Sequence, residues 1–279
     1  MPRASLGSLS EARQVFDPEL LQPIIAELAE RAQPLTRDPR LKDVKQWLTL
    51  VDGTLLSALP RMAQASLLKQ QTGSGKVKWC LHTHFEVEKF VPTRIDVTPD
   101  GGGEHDERAV LERVLESDRL YVKDRGYAKF KLFNAIVAKN SSYVCRLRDN
   151  SVYDVVEERP LTDADRQVDV VSDQIVLLGQ SRKLDERPSH PLRLVIVKVE
   201  PHVSRGKYGG GSTGVETDGF LRIATNRLDV PAEIIALLYQ SRWTIEIFFR
   251  MFQHLLGCRH LLSHHPDGIK IPVQPNSWG

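Results

Sequence analysis

Three acids in this 279-residue chain stand where chemistry on a phosphate could be done: Asp52, Asp124 and Glu246. Asp52 ends the apolar run WLTLVD, which reads as a buried strand. Asp124 follows a second strand pattern, Arg119 to Val122. Between Arg119 and Arg148 it is the one acid against eight basic residues. An acid isolated in a basic field, at the C-terminal end of a parallel strand, is where open α/β sheets place their chemistry. Glu246 lies between Arg242 and Arg250, with Tyr239 before it and Gln253 after it. At about 100° per residue all five fall on or near one side of a helix. If the first and fourth strands are parallel neighbours, Asp52 and Asp124 project from adjacent strand ends. A helix packed across that end then brings Glu246 to them.

Three converging carboxylates repel one another unless divalent cations sit among them. Oxygen-only ligation suits two magnesium or manganese ions. Such a pair, about 4 Å apart, can activate a water or a 3′-hydroxyl and stabilise the leaving oxygen of a phosphodiester. Lys123, Arg125, Lys129 and Lys131 around Asp124 would hold double-stranded DNA by its phosphates. The plainer reading of the helix alone is a surface ion-pair ladder, because Arg242 and Glu246 are four residues apart.

The elements that must position these acids follow from pattern. Asp229 to Gly257 reads as one long helix, with Asp229 as N-cap, Pro231 in the first turn and Gly257 as the stop. Trp47 to Asp52 reads as a strand, and Leu55 to Gln71 as a helix. Val77–Glu88 and Phe90–Thr98 read as an antiparallel pair turning at Glu88-Lys89. His105–Glu116 is an amphipathic helix whose acids Glu104, Asp106 and Glu107 complement its N-terminus. Arg119–Val122, Lys129–Ala138 and Ser142–Leu147 follow as strand, helix and strand. Residues 151–226 alternate valine-rich segments with Pro- and Gly-containing loops and read as a mostly β insertion. Upstream, Leu20, Leu21, Ile24, Ile25 and Leu28 give a docking helix, opened by Asp17-Pro18 and closed by Pro34, one apolar face.

Other motifs are set aside on chemical grounds. QTGSGKVK is not a phosphate-binding loop, since Val77 follows Lys76 and a helix precedes it. His82 and His84 share a strand face but have no third ligand nearby, so polar core or surface is expected. His254, Cys258, His260, His264 and His265 straddle a helix break without a second cysteine, which argues against zinc. Ser204–Gly214 reads as a flexible loop whose charges could touch phosphate. The three widely spaced cysteines indicate a reducing compartment. The chain shows neither a signal-peptide h-region nor a membrane span, so a cytoplasmic, nucleoid-associated protein is expected. A net charge of +2 means that any basic surface is local.

Three ordered blocks resemble the bacterial insertion-sequence transposases of the DDE superfamily. They are LVDGTLLSALP around Asp52, YVKDRGYAKFKLF around Asp124, and TNRLDVPAEIIALLYQSRWTIEIFFR around Glu246. The last resembles the insertion-sequence-four branch, marked by a Tyr-x2-Arg-x3-Glu-x6-Lys signature. Here it is carried by Tyr239, Arg242 and Glu246, with Gln253 in place of the lysine. The likeness covers roughly residues 47–270. It implies an α/β, RNase H-like mixed sheet flanked by helices and interrupted by the β insertion. Asp52, Asp124 and Glu246 become the catalytic and metal-binding acids, and Tyr239, Arg242, Arg250 and Gln253 join the DNA-binding candidates. It implies magnesium-dependent cleavage at mobile-element ends and strand transfer into target DNA, by a homodimer in full-length members. Some members use a hairpin intermediate, helped by an aromatic residue stacking on a flipped base. The insertion has no tryptophan, so Tyr153, Tyr208 or Phe220 would serve.

The expected organisation is a helical segment at 1–46, the first part of the core at 47–150 and the insertion at 151–226. The catalytic helix at 227–262 and an unstructured tail at 263–279 complete it. Compared with the family, the chain reads as a truncated copy. A non-catalytic remnant that at most binds DNA, and a different RNase H-like nuclease, are the alternatives.

Overall fold

The structure is a computed structural model that describes residues 21–34, 38–58, 78–180, 182–183, 186–200, 218–254 and 260–261. In chain order the elements are α1 (Leu21–Arg31), β1 (Trp47–Ala58), β2 (Lys78–Glu86), β3 (Val91–Pro99), α2 (Glu107–Arg113), β4 (Arg119–Lys123), α3 (Phe130–Ala138) and β5 (Ser142–Arg146). There follow β6 (Tyr153–Glu158), α4 (Asp163–Gln167), β7 (Val170–Leu178), β8 (Leu192–Lys198), β9 (Phe220–Thr225), α5 (Ala232–Gln240), α6 (Trp243–His254) and β10 (His260–Leu261). They form two compact units. One comprises Met1–Arg37, Thr49–Val114 and Trp243–Gly279, the other Asp38–Leu48 and Leu115–Arg242.

In the first unit β1, from Thr49 on, pairs antiparallel with β2, and β2 with β3. The hairpin turns at 87–90, as its polar link predicts. Alternation along the strands makes two faces. One carries Leu50, Asp52 and Thr54, with Phe85 opposite Leu50 and Thr83 opposite Asp52. Phe248 of α6 packs on Phe85 there, ring centroids 5.2 Å apart. The other face carries Gly53, with His82 opposite. Two expectations fail here. β1 does not stop at Asp52 to give a helix from Leu55, because Leu55 and Leu56 continue the ladder against Cys80 and Trp79. In α1 the buried pair is Ile25 and Ala29, while Ile24 and Leu28 are more than two-fifths exposed. That pair is spaced i, i+4, and the small Ala29 allows a close approach.

In the second unit β4 and β5 are parallel, β9 runs antiparallel to β5, and β8, β7 and β6 follow as an antiparallel series. The sheet is therefore mixed, and α3 covers it by stacking Phe133 on Tyr143 at 4.2 Å. The last strand of the expected insertion, β9, completes a ladder with β5, and the insertion's described residues lie in one unit with Asp124. A buried ion pair ties its strands to the next helix. Arg193 grips Asp173 with two 2.7 Å bonds and donates to the carbonyls of Arg227 and Val230. Its charge is thereby paired and its hydrogen-bonding groups are engaged, as burial requires.

The predicted single helix from Asp229 to Gly257 is two helices. Ser241 turns its hydroxyl back to the Leu238 carbonyl at 2.6 Å, and the Arg242 amide bonds the Tyr239 carbonyl. These three-residue closures tighten the last turn and end α5. The boundary between the units falls at the same step. Nor does Asp229 cap the helix, since Arg227 engages its carboxylate. Asp165, 68 residues earlier, accepts the Glu233 amide instead. The loop Ser204–Gly214, most of Leu55–Gln71 and, of the histidine-rich tail, Cys258, His264 and His265 lie outside the described residues.

Candidate active site

Asp124 follows β4 directly, in extended backbone, at the C-terminal end of the parallel pair β4–β5. Its Oδ1 accepts a 3.0 Å hydrogen bond from the Tyr239 hydroxyl near the end of α5. The Tyr239 ring is buried, and the Arg242 guanidinium lies 5.8 Å from its centroid. Burial raises the phenol's pKa, the Asp124 charge raises it further, and Arg242 opposes both. The phenol therefore stays protonated and donates. Among the described residues nothing donates to Oδ2 of Asp124. A half-buried carboxylate with one oxygen anchored and one open is a suitable donor for a hard divalent cation.

Asp52 lies in the first unit, in β1, accepting the Gly53 amide at 2.8 Å. Gln253 of α6 donates to the Thr54 hydroxyl at 2.8 Å. Thr54 is two residues from Asp52 and shares its face, so this bond fastens α6 to the face that carries Asp52. Glu246 lies seven residues before Gln253 on the same helix and keeps nearly its azimuth. The bond thus fastens the helix that carries Glu246 to the sheet face that carries Asp52. Opposite Asp52 the Thr83 hydroxyl is fully buried and has no hydrogen-bond partner among the described residues. An orphaned hydroxyl beside a carboxylate fits a site built to hold a cation and its waters.

On the other face a Cβ on Gly53 would come within 2.7 Å of the Glu107 carboxylate and 3.1 Å of the Cys80 sulfur. Glu107 thus reaches β1 next to Asp52, besides opening its own helix. Burial, then the Glu107 charge, pushes the Cys80 thiol up to about 12. His82 is held down to about 4 by burial and bonds the Thr98 hydroxyl at 2.8 Å, a neutral core histidine as expected.

The basic candidates separate by exposure. Lys129 and Lys131 are exposed at the start of α3, Arg125 is half-buried and Arg250 is exposed on α6. Lys123 is a correction. It is fully buried, its ammonium 4.9 Å from the Phe133 ring centroid and 5.5 Å from that of Tyr143, and burial lowers its pKa to about 8. Its place as the last residue of β4, a strand buried from Leu120 onward, keeps it from any phosphate. Tyr239 and Arg242 are also buried, Tyr239 bonding Asp124 and Arg242 lying against the Tyr239 ring. Sequence reasoning missed Thr83 and Glu107. Strand alternation would have given Thr83 its face, but only the β1–β2 register sets it opposite Asp52.

Among the described residues, no group of three or more His, Cys, Asp or Glu side chains is drawn together as a metal site. No helix among them is long and apolar enough to cross a membrane.

Residues 44–271 match the family model described as a transposase DDE domain. A Sinorhizobium fredii protein named as a transposase is 26% identical over 194 residues, 69% of this chain and 49% of that one. One named for insertion sequence IS5377 of Geobacillus stearothermophilus is 23% identical, covering 96% of this chain and 64% of its own. One named for insertion sequence IS186A of Escherichia coli K12 is 22% identical, covering 82% and 63%. The chain thus spans about half to two-thirds of the length of these relatives. A solved piggyBac transposase complex with hairpin DNA matches at a TM-score of 0.39 and 11% identity, over 81% of this chain and 45% of that one.

Proposed function

The chain belongs to the transposase DDE domain family, and from that premise we propose that it cleaves DNA at the ends of a mobile element and joins those ends to target DNA. The observation that carries the reading is the Tyr239–Asp124 hydrogen bond. It joins two sequence blocks 115 residues apart, and it aims an aspartate that the family resemblance marks as catalytic. Asp52, Asp124 and Glu246 would hold two magnesium or manganese ions. Bound there, the ions supply activation of a water or 3′-hydroxyl and stabilisation of the leaving oxygen.

The chain's own residues do the rest. Tyr239 fixes the carboxylate plane of Asp124, and buried Arg242 holds positive charge against that pair. Gln253 keeps the helix of Glu246 on the face of Asp52, which explains a glutamine where the signature has lysine. Lys129 and Lys131 offer exposed ammonium groups to DNA phosphates. Membership in the Tyr-x2-Arg-x3-Glu branch, a homodimeric state, nucleoid association and the modular boundaries given above complete the reading.

Nicking of a supercoiled plasmid carrying the element's ends, with magnesium or manganese, tests it. Wild type should nick. Asp124→Ala should lose more than about a hundredfold, beyond what losing an outer-shell partner costs. Metal should also raise the melting temperature of wild type by mass action, and Asp52→Asn should lose that rise. DNA binding without cleavage by wild type would identify a remnant. Cleavage of branched DNA without preference for the ends would identify another nuclease. Either outcome would overturn the proposal.

A further inference from the structure

The connection between β7 and β8 leaves its sheet and is fastened to α3, the helix that begins six residues after Asp124. Three contacts hold it. Gly179 sits at φ +74 so close to Phe130 that a Cβ would meet the ring at 2.7 Å. Asn134 donates to the Arg187 carbonyl at 2.9 Å and accepts the Ser189 amide at 2.8 Å. His190 meets the Tyr143 hydroxyl at 2.9 Å. Within the connection Arg187 folds inward and donates to the Gln180 side chain and to the carbonyls of Gln180 and Arg182.

This internal frame turns Arg182 and Lys183 outward. Both are exposed, and the Arg182 guanidinium lies 6.0 Å from the Phe130 ring centroid. Phe130 is flanked in sequence by the exposed Lys129 and Lys131. Two segments some fifty residues apart thus present exposed cations in the unit that contains Asp124, with Arg182 of one set against the Phe130 ring of the other. Glu186 pairs with Arg182 at 3.7 Å, but both side chains are more than half exposed, so the pairing is weak and exchangeable. A guanidinium set against an aromatic face is partly oriented before it meets a ligand.

Resting on the reading of Asp124 as a DNA-cleaving residue, we propose that Arg182 and Lys183 extend the basic start of α3 into one track for the phosphate backbone of duplex DNA. The β7–β8 connection thereby becomes part of the substrate surface. Its anchoring to Asn134 and Phe130 sets the spacing between the two groups of cations. The track reads phosphates and not bases, so it adds affinity without sequence preference.

Fluorescence anisotropy of a labelled duplex with the full chain, titrated with salt, tests this. Relative to wild type, Arg182→Ala combined with Lys183→Ala should reduce the slope of log affinity against log salt by about two. Asn134→Ala keeps every cation but unpins the connection, and it should also flatten the slope. Lys139→Ala, at the far end of α3, should leave it unchanged. A wild-type slope in the Arg182/Lys183 double variant overturns the inference. If that variant keeps the wild-type slope while wild type still nicks DNA, this surface fails and the transposase reading stands. If wild type neither binds nor nicks, both fail.

Discussion

Asp124 and Asp52 are supported in contrasting ways. Asp124 is aimed by a buried side chain, the Tyr239 phenol, contributed from far along the chain. Asp52 accepts its neighbour's amide, and the bond fastening the Glu246 helix to its face is made by Gln253 and Thr54. One acid is held by a side-chain donor from a distant element, while the other takes its hydrogen bond from the amide next to it in sequence. In the other region the fastening acts on the elements and positions the acids indirectly. Losing a direct hydrogen bond frees the carboxylate itself. Losing the indirect one leaves a helix still packed through Phe248 on Phe85.

Tyr239→Phe should have the largest effect. It keeps the buried ring but removes the donor to Asp124, so nicking should fall about 10- to 100-fold, as for outer-shell partners of metal ligands. Stability should fall by only about 1 kcal/mol, the net value of one hydrogen bond. Wild-type nicking by a folded Tyr239→Phe protein would mean that Asp124 needs no such support.

Gln253→Ala should come next. Its cost in chemical denaturation should again be about 1 kcal/mol. Nicking should drop less than in Tyr239→Phe, because apolar packing retains the helix. A larger catalytic loss in Gln253→Ala than in Tyr239→Phe would reverse the comparison.

The smallest effect concerns the start of α5, the helix that carries Tyr239. Glu233 is raised by burial and then by its hydrogen bond to Asp165. Burial works to raise Asp165 as well, but hydrogen bonds from Glu233 and Thr162 outweigh it and its pKa is lowered. The two carboxyls are thus displaced in opposite directions from their ordinary values. The Glu233 contribution is fully present below the ordinary glutamate value and is lost as pH rises through the raised folded value. That of Asp165 has the opposite sign, being lost as pH falls through its lowered value. Glu233→Gln cannot lose a proton. Its stability relative to wild type should improve from about pH 4 toward neutrality, by about 1 kcal/mol or less. Parallel stability–pH curves for the two proteins would show that the Glu233 carboxyl is not raised.

The order of strands and helices from Lys78 to Arg146 and the hairpin turn at 87–90 were readable in the sequence. Each is a local pattern of period 2 or 3.6 bounded by turn residues. The three acid blocks were readable as well, because residue type and spacing lie along the chain. The sequence did not reveal that Ser241 would fold back and divide the last long helix. That choice depends on a side chain competing for a backbone carbonyl. Nor could local pattern show that Asp165 rather than Asp229 meets the Glu233 amide, or that Lys123 faces aromatic rings instead of phosphate. Periodicity placed Tyr239, Arg242 and Glu246 on one helix side. Only the fold set Tyr239 against Asp124 and Gln253 against Thr54, because a hydrogen bond across 115 or 199 residues depends on how distant strands and helices pack.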